Sequence, residues 1–286
     1  MFLSLITLNF AQFSPVLKGK SSLARFFNST TCVVLTEDPC INEQLKRHFS
    51  ESWKITPVQF ILDEEFEIFL KDASYSFVHI NTYKVQGEKK LVGAIALLNG
   101  GYTDRDLMYL NSTLAYVAYD NWGLEKTVES ICKKIPAMVS QLKATIQLVN
   151  DNNIQGRYSM DITKSLIDIY NSKAYVLKTK TLLIDHLYKN SKIISEPEFA
   201  FIYKYDYQFV SGEEIEKAIA NHENGKAVLF SSYNLYKINK VIDCSTHEII
   251  FCEFEMSDNQ RDHRLNQFDN TDMQLLNSTV KKAKEL

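Results

Sequence analysis

The chain has 286 residues, 45% hydrophobic and 23% charged, enough apolar material for one large or two ordinary cores, which excludes a disordered or fibrous protein. A net charge of −3 leaves no broad basic surface for a phosphate backbone, so nucleic acid is not an expected partner. The five cysteines (Cys32, Cys40, Cys132, Cys244 and Cys252) form no C-x-x-C pair and are odd in number, so their spacing indicates neither a zinc site nor a disulfide framework. Buried free thiols are expected, with a Cys244–Cys252 bridge across a hairpin as a minor alternative.

From the N-terminus, MFLSLITLNFA is an apolar run ending on the small Ala11, and a polar, proline-containing stretch follows it. It reads as a secretory signal without a positive n-region; an N-terminal strand or helix of the fold is the alternative. Residues 1–27 are therefore set apart as a signal-like segment and lead-in, and a secreted or periplasmic location is expected. No later segment reaches 18 consecutive apolar residues, so no membrane span is expected.

Residues 28–150 read as a first αβ unit. Thr30 to Leu35 is a β-branched, apolar strand, and the stretch from Pro39 to Trp53 is a short amphipathic helix with Ile41, Leu45 and Phe49 on one face. KITPVQFI is a strand, LDEEFEIFLKD a helix, YSFVHINTYKV a strand, and KKLVGAIALLNGG a strand ending at a Gly100-Gly101 turn. Leu107 to Tyr119 reads as another strand, and Leu124 to Asn150 as a long helix whose apolar stripe packs on its own sheet or, alternatively, pairs as a coiled coil. Pro136 inside it predicts a kink or a split. Residues 151–173 form a linker with a short helix from Asp161 to Tyr170.

Residues 174–286 then run through the same pattern: KTLLIDHLY, SEPEFAFIYKY, YQFVS, GEEIEKAIAN, KAVLFSSYN, a hairpin of YKINKVIDC with HEIIFCEFEM, and a closing helix from Asp272. An offset of 149 residues places Gln59-Phe60 on Gln208-Phe209, Glu64, Glu65 and Glu67 on Glu213, Glu214 and Glu216, and Cys32–Leu35 on Thr181–Ile184. One further residue brings Val78 onto Val228. The expected fold is α/β: two tandem duplicated βαβαββ-type three-layer units with mostly parallel sheets and antiparallel edge hairpins. Phe60 and Phe209 then occupy matching buried strand positions, and the glutamates sit in first helical turns, where they complement the dipole.

The run W-x-I-T-P-x-x-F-I followed by E-E-F, Trp53 to Phe66, resembles a pattern of uncharacterised secreted bacterial proteins with two tandem αβ units. The resemblance implies an extracytoplasmic location and a two-unit architecture, and it transfers no site residue.

Chemistry is sparsely signalled. No phosphate-binding glycine loop, nucleophile elbow or H-E-x-x-H occurs, so no catalytic residue, metal or cofactor is assigned. Ligands in open α/β sheets bind beyond the carboxyl ends of strands, which singles out Glu37, Asp38, Asn81, Asp185, His186, Ser231 and Ser232, with His79 inside the third strand. Asp258, Asp262, His263, Asp269 and Asp272 gather in one acidic stretch that lacks calcium-loop order and reads as solvated. The sequons at Asn28, Asn111 and Asn277 read as polar turns outside a glycosylating host. Two classes of function remain: a non-enzymatic extracytoplasmic protein binding an unknown protein or small molecule, in a groove between its units, or an enzyme with a site at one set of strand ends.

Overall fold

A computed structural model describes residues 20–84, 91–104, 113–118, 128–154, 159–186, 195–233, 236–256 and 268–284. The signal-like Met1–Ala11, Asn111, Asp258, Asp262 and His263 lie outside the described residues. The chain divides into two compact units, the first holding the described residues through Ser165 and the second those from Leu166. Each is a mixed five-stranded sheet with helices, and no described helix is long and apolar enough to cross a membrane.

In chain order the first unit contains α1 (Lys20–Phe27), β1 (Thr30–Val34), α2 (Pro39–Glu51), β2 (Val58–Ile61), a 3₁₀ turn (Asp63–Glu65), α3 (Phe66–Leu70), β3 (Tyr75–Lys84), β4 (Leu91–Asn99), β5 (Thr113–Ala118) and α4 (Val128–Asp151). The sheet order is β2-β1-β3-β4-β5. β1 lies between β2 and β3 and is parallel to both, which is why it reads as a continuous β-branched run buried from Thr31 to Val34. β3–β4 and β4–β5 are antiparallel. Phe66 and Leu70 of α3 cover one face, packing on Cys32, Val34, Phe77, Ala96 and Leu98. Val33, Val78, Ile95 and Leu97 point the other way and are equally buried, so that face is covered too: α2 and α4 pack on one another, and α4 also packs against β4 and β5.

The W-x-I-T-P segment has a structural explanation. Trp53 is buried against Phe49 and Phe26, and its Nε1–H donates to Thr56 Oγ1 at 2.9 Å. The Thr56 and Thr31 hydroxyls are hydrogen-bonded, Thr31 lies 3.0 Å from the Ser76 hydroxyl, and Ser76 lies 2.9 Å from that of Ser29. Ser29 also reaches the Phe26 carbonyl at 2.7 Å. Ser29 is the donor toward both the Ser76 hydroxyl and the Phe26 carbonyl, so its one proton is shared between them, and every buried hydroxyl in the network has a hydrogen-bond partner.

The second unit contains α5 (Ser159–Ser172), within which the boundary falls, a 3₁₀ segment (Lys173–Thr179), β6 (Thr181–Asp185), α6 (Glu196–Ile202), β7 (Tyr207–Val210), α7 (Gly212–Ala220), β8 (Lys226–Tyr233), β9 (Tyr236–Asp243), β10 (Ile249–Met256) and α8 (Asn270–Lys282). Its sheet order, β7-β6-β8-β9-β10, repeats the first unit's order and strand senses: β6 is parallel to β7 and β8, and the remaining pairs are antiparallel. Leu182 and Ile184 pack beneath Phe199 of α6, Leu177, and Met273, Leu276 and Val280 of α8. Ser195 and Ser211 start α6 and α7 as capping boxes with Glu198 and Glu214.

Several expectations are corrected. The sheets are mixed, not mostly parallel, because β3–β4 and β4–β5, like β8–β9 and β9–β10, pair antiparallel. The repeat offset is not constant. Cys32 lies opposite Gln59 and Leu183 opposite Gln208, so the first strand corresponds at 151 while the second corresponds at 149. Cys32 also pairs with Phe77 and Leu183 with Val228, so Val228 matches Phe77 and not Val78; a one-residue slip would have turned the strand's faces over. Phe60 and Phe209 are half-buried, since β2 and β7 are edge strands. The long helix is described from Val128, Leu124 lying outside the described residues, and it runs unbroken through Pro136. Lys20–Phe27, assigned to the lead-in, is a helix whose Phe26 is fully buried.

The cysteine expectation fails in one pair. Cys40 at the start of α2 and Cys132 in α4 form a disulfide with Cα atoms 6.1 Å apart, joining positions 92 residues apart. Cys32, Cys244 and Cys252 are free and buried, so the Cys244–Cys252 bridge does not form. Burial pushes the Cys32 and Cys244 thiols up to about 12, which makes them inert as nucleophiles.

Candidate functional site

The strand ends differ between the units. In the first, Asp38 is consumed as the cap of α2, its Oδ1 accepting the Ile41 N–H at 3.0 Å, and Glu37 is exposed. Asn81 lies in β3 opposite Ala94, its side chain outside the described ones. His79 Nε2 is 3.7 Å from Asp63 Oδ1, longer than a hydrogen bond, with its ring beside Phe66. Asp269 and Asp272 of the acidic stretch form the capping box of α8.

In the second unit the carboxyl ends do converge. β6 ends on Asp185, only 5% exposed, followed by exposed His186, and adjacent β8 supplies buried Ser231. The Ser232 side chain lies outside the described ones. Ser211 and Glu214 lie beyond β7; the Ser211 backbone N–H and hydroxyl hold the Glu214 carboxyl below its ordinary value, with smaller contributions from His186 and Lys217. The strand register places Asp185 where the first unit has Val34, so fold repetition does not account for this carboxylate.

Beside this corner, along the outer edge of β7, lies an open depression of about 460 Å³ lined by His186, Glu196, Tyr205, Asp206, Tyr207, Gln208 and Phe209. Tyr205, Tyr207 and Phe209 alternate with Asp206 and Gln208, because side chains along an extended segment point to opposite sides. The three rings are half-buried against the core containing Phe199 and Tyr203, with ring centroids 4.5 Å apart for Phe199 and Tyr207 and 5.9 Å for Tyr207 and Phe209. The Tyr203 hydroxyl is buried without a hydrogen-bond partner. Burial first, then nearby Tyr205 and Asp206, raise its pKa.

The matching edge strand of the first unit carries a matching depression of about 530 Å³, lined by Phe49, Ser50, Trp53, Lys54, Ile55, Thr56, Pro57, Val58 and Phe60. The place recurs and the chemistry does not: among the described lining residues the charged side chain is Lys54 here and the two carboxylates Glu196 and Asp206 in the second unit.

Asp185 and His186 were legible as strand-end residues. Glu196, Tyr205, Asp206, Tyr207 and Gln208 belong to no chemical motif that the sequence singles out. Their signal was the spacing of Tyr203, Tyr205, Tyr207 and Phe209 at every second residue, which stacks aromatic rings along one side of an edge.

Behind this corner, Phe230, Lys240 and Cys252 face one another across β8, β9 and β10. Lys240 is 3% exposed, its Nζ 5.9 Å from the centre of the Phe230 ring, and burial lowers its pKa from 10.5 to about 8, with Cys252 opposing that shift. A lysine whose folded pKa lies below its unfolded one destabilises the fold fully below the folded value, and the penalty disappears as pH rises to the unfolded value. Lys240→Met should therefore stabilise the protein at pH 7 by up to about 3 kcal/mol, and the advantage over wild type should shrink between pH 8 and 10.5 in urea unfolding. A pH-independent difference would contradict this.

No protein-family model matches the chain, and no curated protein and no solved structure shows significant similarity to it. These comparisons add nothing to the resemblance carried by Trp53–Phe66.

Proposed function

We propose that this is an extracytoplasmic protein that binds a partner or ligand without chemical turnover, built from two copies of one αβ module. Location is supported by the Cys40–Cys132 disulfide, a bond that persists in oxidising compartments and is rare in reducing ones, together with the signal-like N-terminus. Duplication is supported by the shared strand order and senses and by the recurrent Q-F-x-x-x-E-E-x-E run.

The observation that carries the binding reading is the pair of open, aromatic-lined depressions at equivalent edge strands, one with Glu196 and Asp206 in its lining and the other with Lys54. Equivalent scaffold positions with divergent lining are what a duplicated module shows when one copy acquires a partner of its own.

Counting thiols in protein purified from its native host under alkylating conditions tests the location. Three thiols should titrate after denaturation and five after reduction, with none reacting rapidly in the native state. Five thiols before reduction would refute an oxidising destination.

A further inference from the structure

β2 ends the first unit's sheet, and its inner side is engaged by β1: the Thr31 N–H donates to the Pro57 carbonyl and the Leu35 N–H to the Ile61 carbonyl, each at 2.8 Å. Backbone groups alternate in direction along a strand, so Pro57, Gln59 and Ile61 face β1, while Val58 and Phe60 turn their N–H and C=O groups outward. No described strand pairs with that outer side. The next outward group, the Leu62 N–H, is closed off by the Glu65 carboxylate at 2.7 Å. Val58–Ile61 itself holds no charged residue and no proline, the usual guards of a sheet edge.

What stays open is self-complementary. When a second β2 pairs with the first antiparallel about a two-fold axis at Gln59, Val58 lies opposite Phe60 of the second copy, and the two residues exchange both N–H···O bonds. The axis repeats that pair, so every outward group of Val58 and Phe60 is used. Ile61 points into the α3 face, so Val58 and Phe60 point to the other, where they line the depression of about 530 Å³ beside the end of α2. The side chains that meet across the axis are therefore an aromatic and β-branched pair, a favourable cross-strand combination.

A second observation comes from charge. Lys54 stands five residues before Gln59 and Glu64 five residues after it, both exposed, so the same axis brings the Lys54 end of each copy to the Glu64 end of the other. Centred on Gln208, the second unit's edge would set Lys204 against Gly212 and Tyr203 against Glu213, and its ends are not complementary.

We propose that two copies of the chain associate through β2, antiparallel about Gln59, joining their first-unit sheets edge to edge and covering the depression there. The proposal rests on the binding reading above for the first unit's depression and names its occupant, a second copy of this chain.

Sedimentation of the full-length protein from about 1 to about 500 µM should show a reversible monomer–dimer equilibrium, weak because so short an edge buries little area. Lys54→Glu and Glu64→Lys should each weaken association about tenfold or more, since each sets like charges together twice, and the two changes combined should restore it. Both positions are exposed, and a rescue by the double variant is a result that a folding defect does not produce. Gln59→Cys puts a thiol on the axis, in a non-hydrogen-bonded pair with Cα atoms about 4.5 Å apart, so mild oxidation should yield a covalent dimer. Gln208→Cys, at the matching place in the second unit, should stay monomeric.

A chain that is monomeric throughout that range, association indifferent to both charge variants, or faster cross-linking at Gln208 would overturn the proposal. A monomer that instead takes up an unrelated extended peptide along β2 would also overturn it while sparing the binding reading, and the thiol count decides the location separately.

Discussion

Replacing Cys40 and Cys132 with serine is expected to lower the stability of the first unit by about 3–4 kcal/mol. The bridge closes a loop spanning a sequence separation of 92 residues, and loop-closure entropy alone sets an upper value near 5 kcal/mol for a loop of that size. Its placement makes the effect local. α4 buries Ile131, Ile135, Met138, Val139, Leu142 and Ile146, and it is pinned to the end of α2 a second time where the Lys143 ammonium donates to the Ser52 carbonyl at 2.7 Å. Without the covalent link those contacts persist in the folded state, and the gain goes to the unfolded chain, which becomes freer. Urea unfolding followed by Trp53 fluorescence should show a shifted midpoint, and reduced wild type should behave like the serine variant. An unshifted midpoint in both would show that the bridge does not constrain the unit.

The second large effect concerns the pair Lys180–Asp243. The ammonium and carboxylate are 2.9 Å apart, with side chains only 9% and 7% exposed. Asp243 Oδ1 accepts from the Ser245 N–H and hydroxyl, closing the turn after β9, while Oδ2 faces Lys180. Lys180→Met leaves a buried carboxylate with half of its partners gone, and a loss of about 3–5 kcal/mol is expected. Adding Asp243→Asn, which keeps an acceptor for Ser245 and removes the charge, should recover at least half of it; additive losses would refute the coupling.

Acid should act through the same carboxyl. Burial tends to raise its pKa, but the hydrogen bonds from Ser245 and Lys180 outweigh burial and hold it below 3.8. A carboxyl depressed in the folded state stabilises above its unfolded pKa, and that stability is lost as pH falls through the folded value, so this pair protects the second unit until below about pH 4. The first unit, with Ser29 and Asn99 at the corresponding positions, lacks this pair.

Much of the fold was legible because the elements are locally consistent. β1 and β6 are apolar runs, as strands buried on both faces must be, and Ser211 with Glu214 announces a helix start in four residues. The candidate depression was half legible. His186 was flagged by following a strand, yet its neighbours Tyr205–Phe209 come from another strand, and Glu196 comes from a helix start. Such a lining is assembled by strand order, β7 lying outside β6, which local sequence does not encode.

The sequence by itself determined the α/β class, nearly every element, and the recurrence of the run at Gln59 and Gln208, because periodicity, capping and composition act within a few residues. Tertiary structure alone decided how far antiparallel pairing extends beyond the expected edge hairpins, the 151-residue register of the first and third strands, and the Cys40–Cys132 bond. These depend on which distant segments come to lie side by side. Cys40 and Cys132 meet because α2 and α4 pack on one another in the first unit, and a count of cysteines or their spacing carries no trace of that contact.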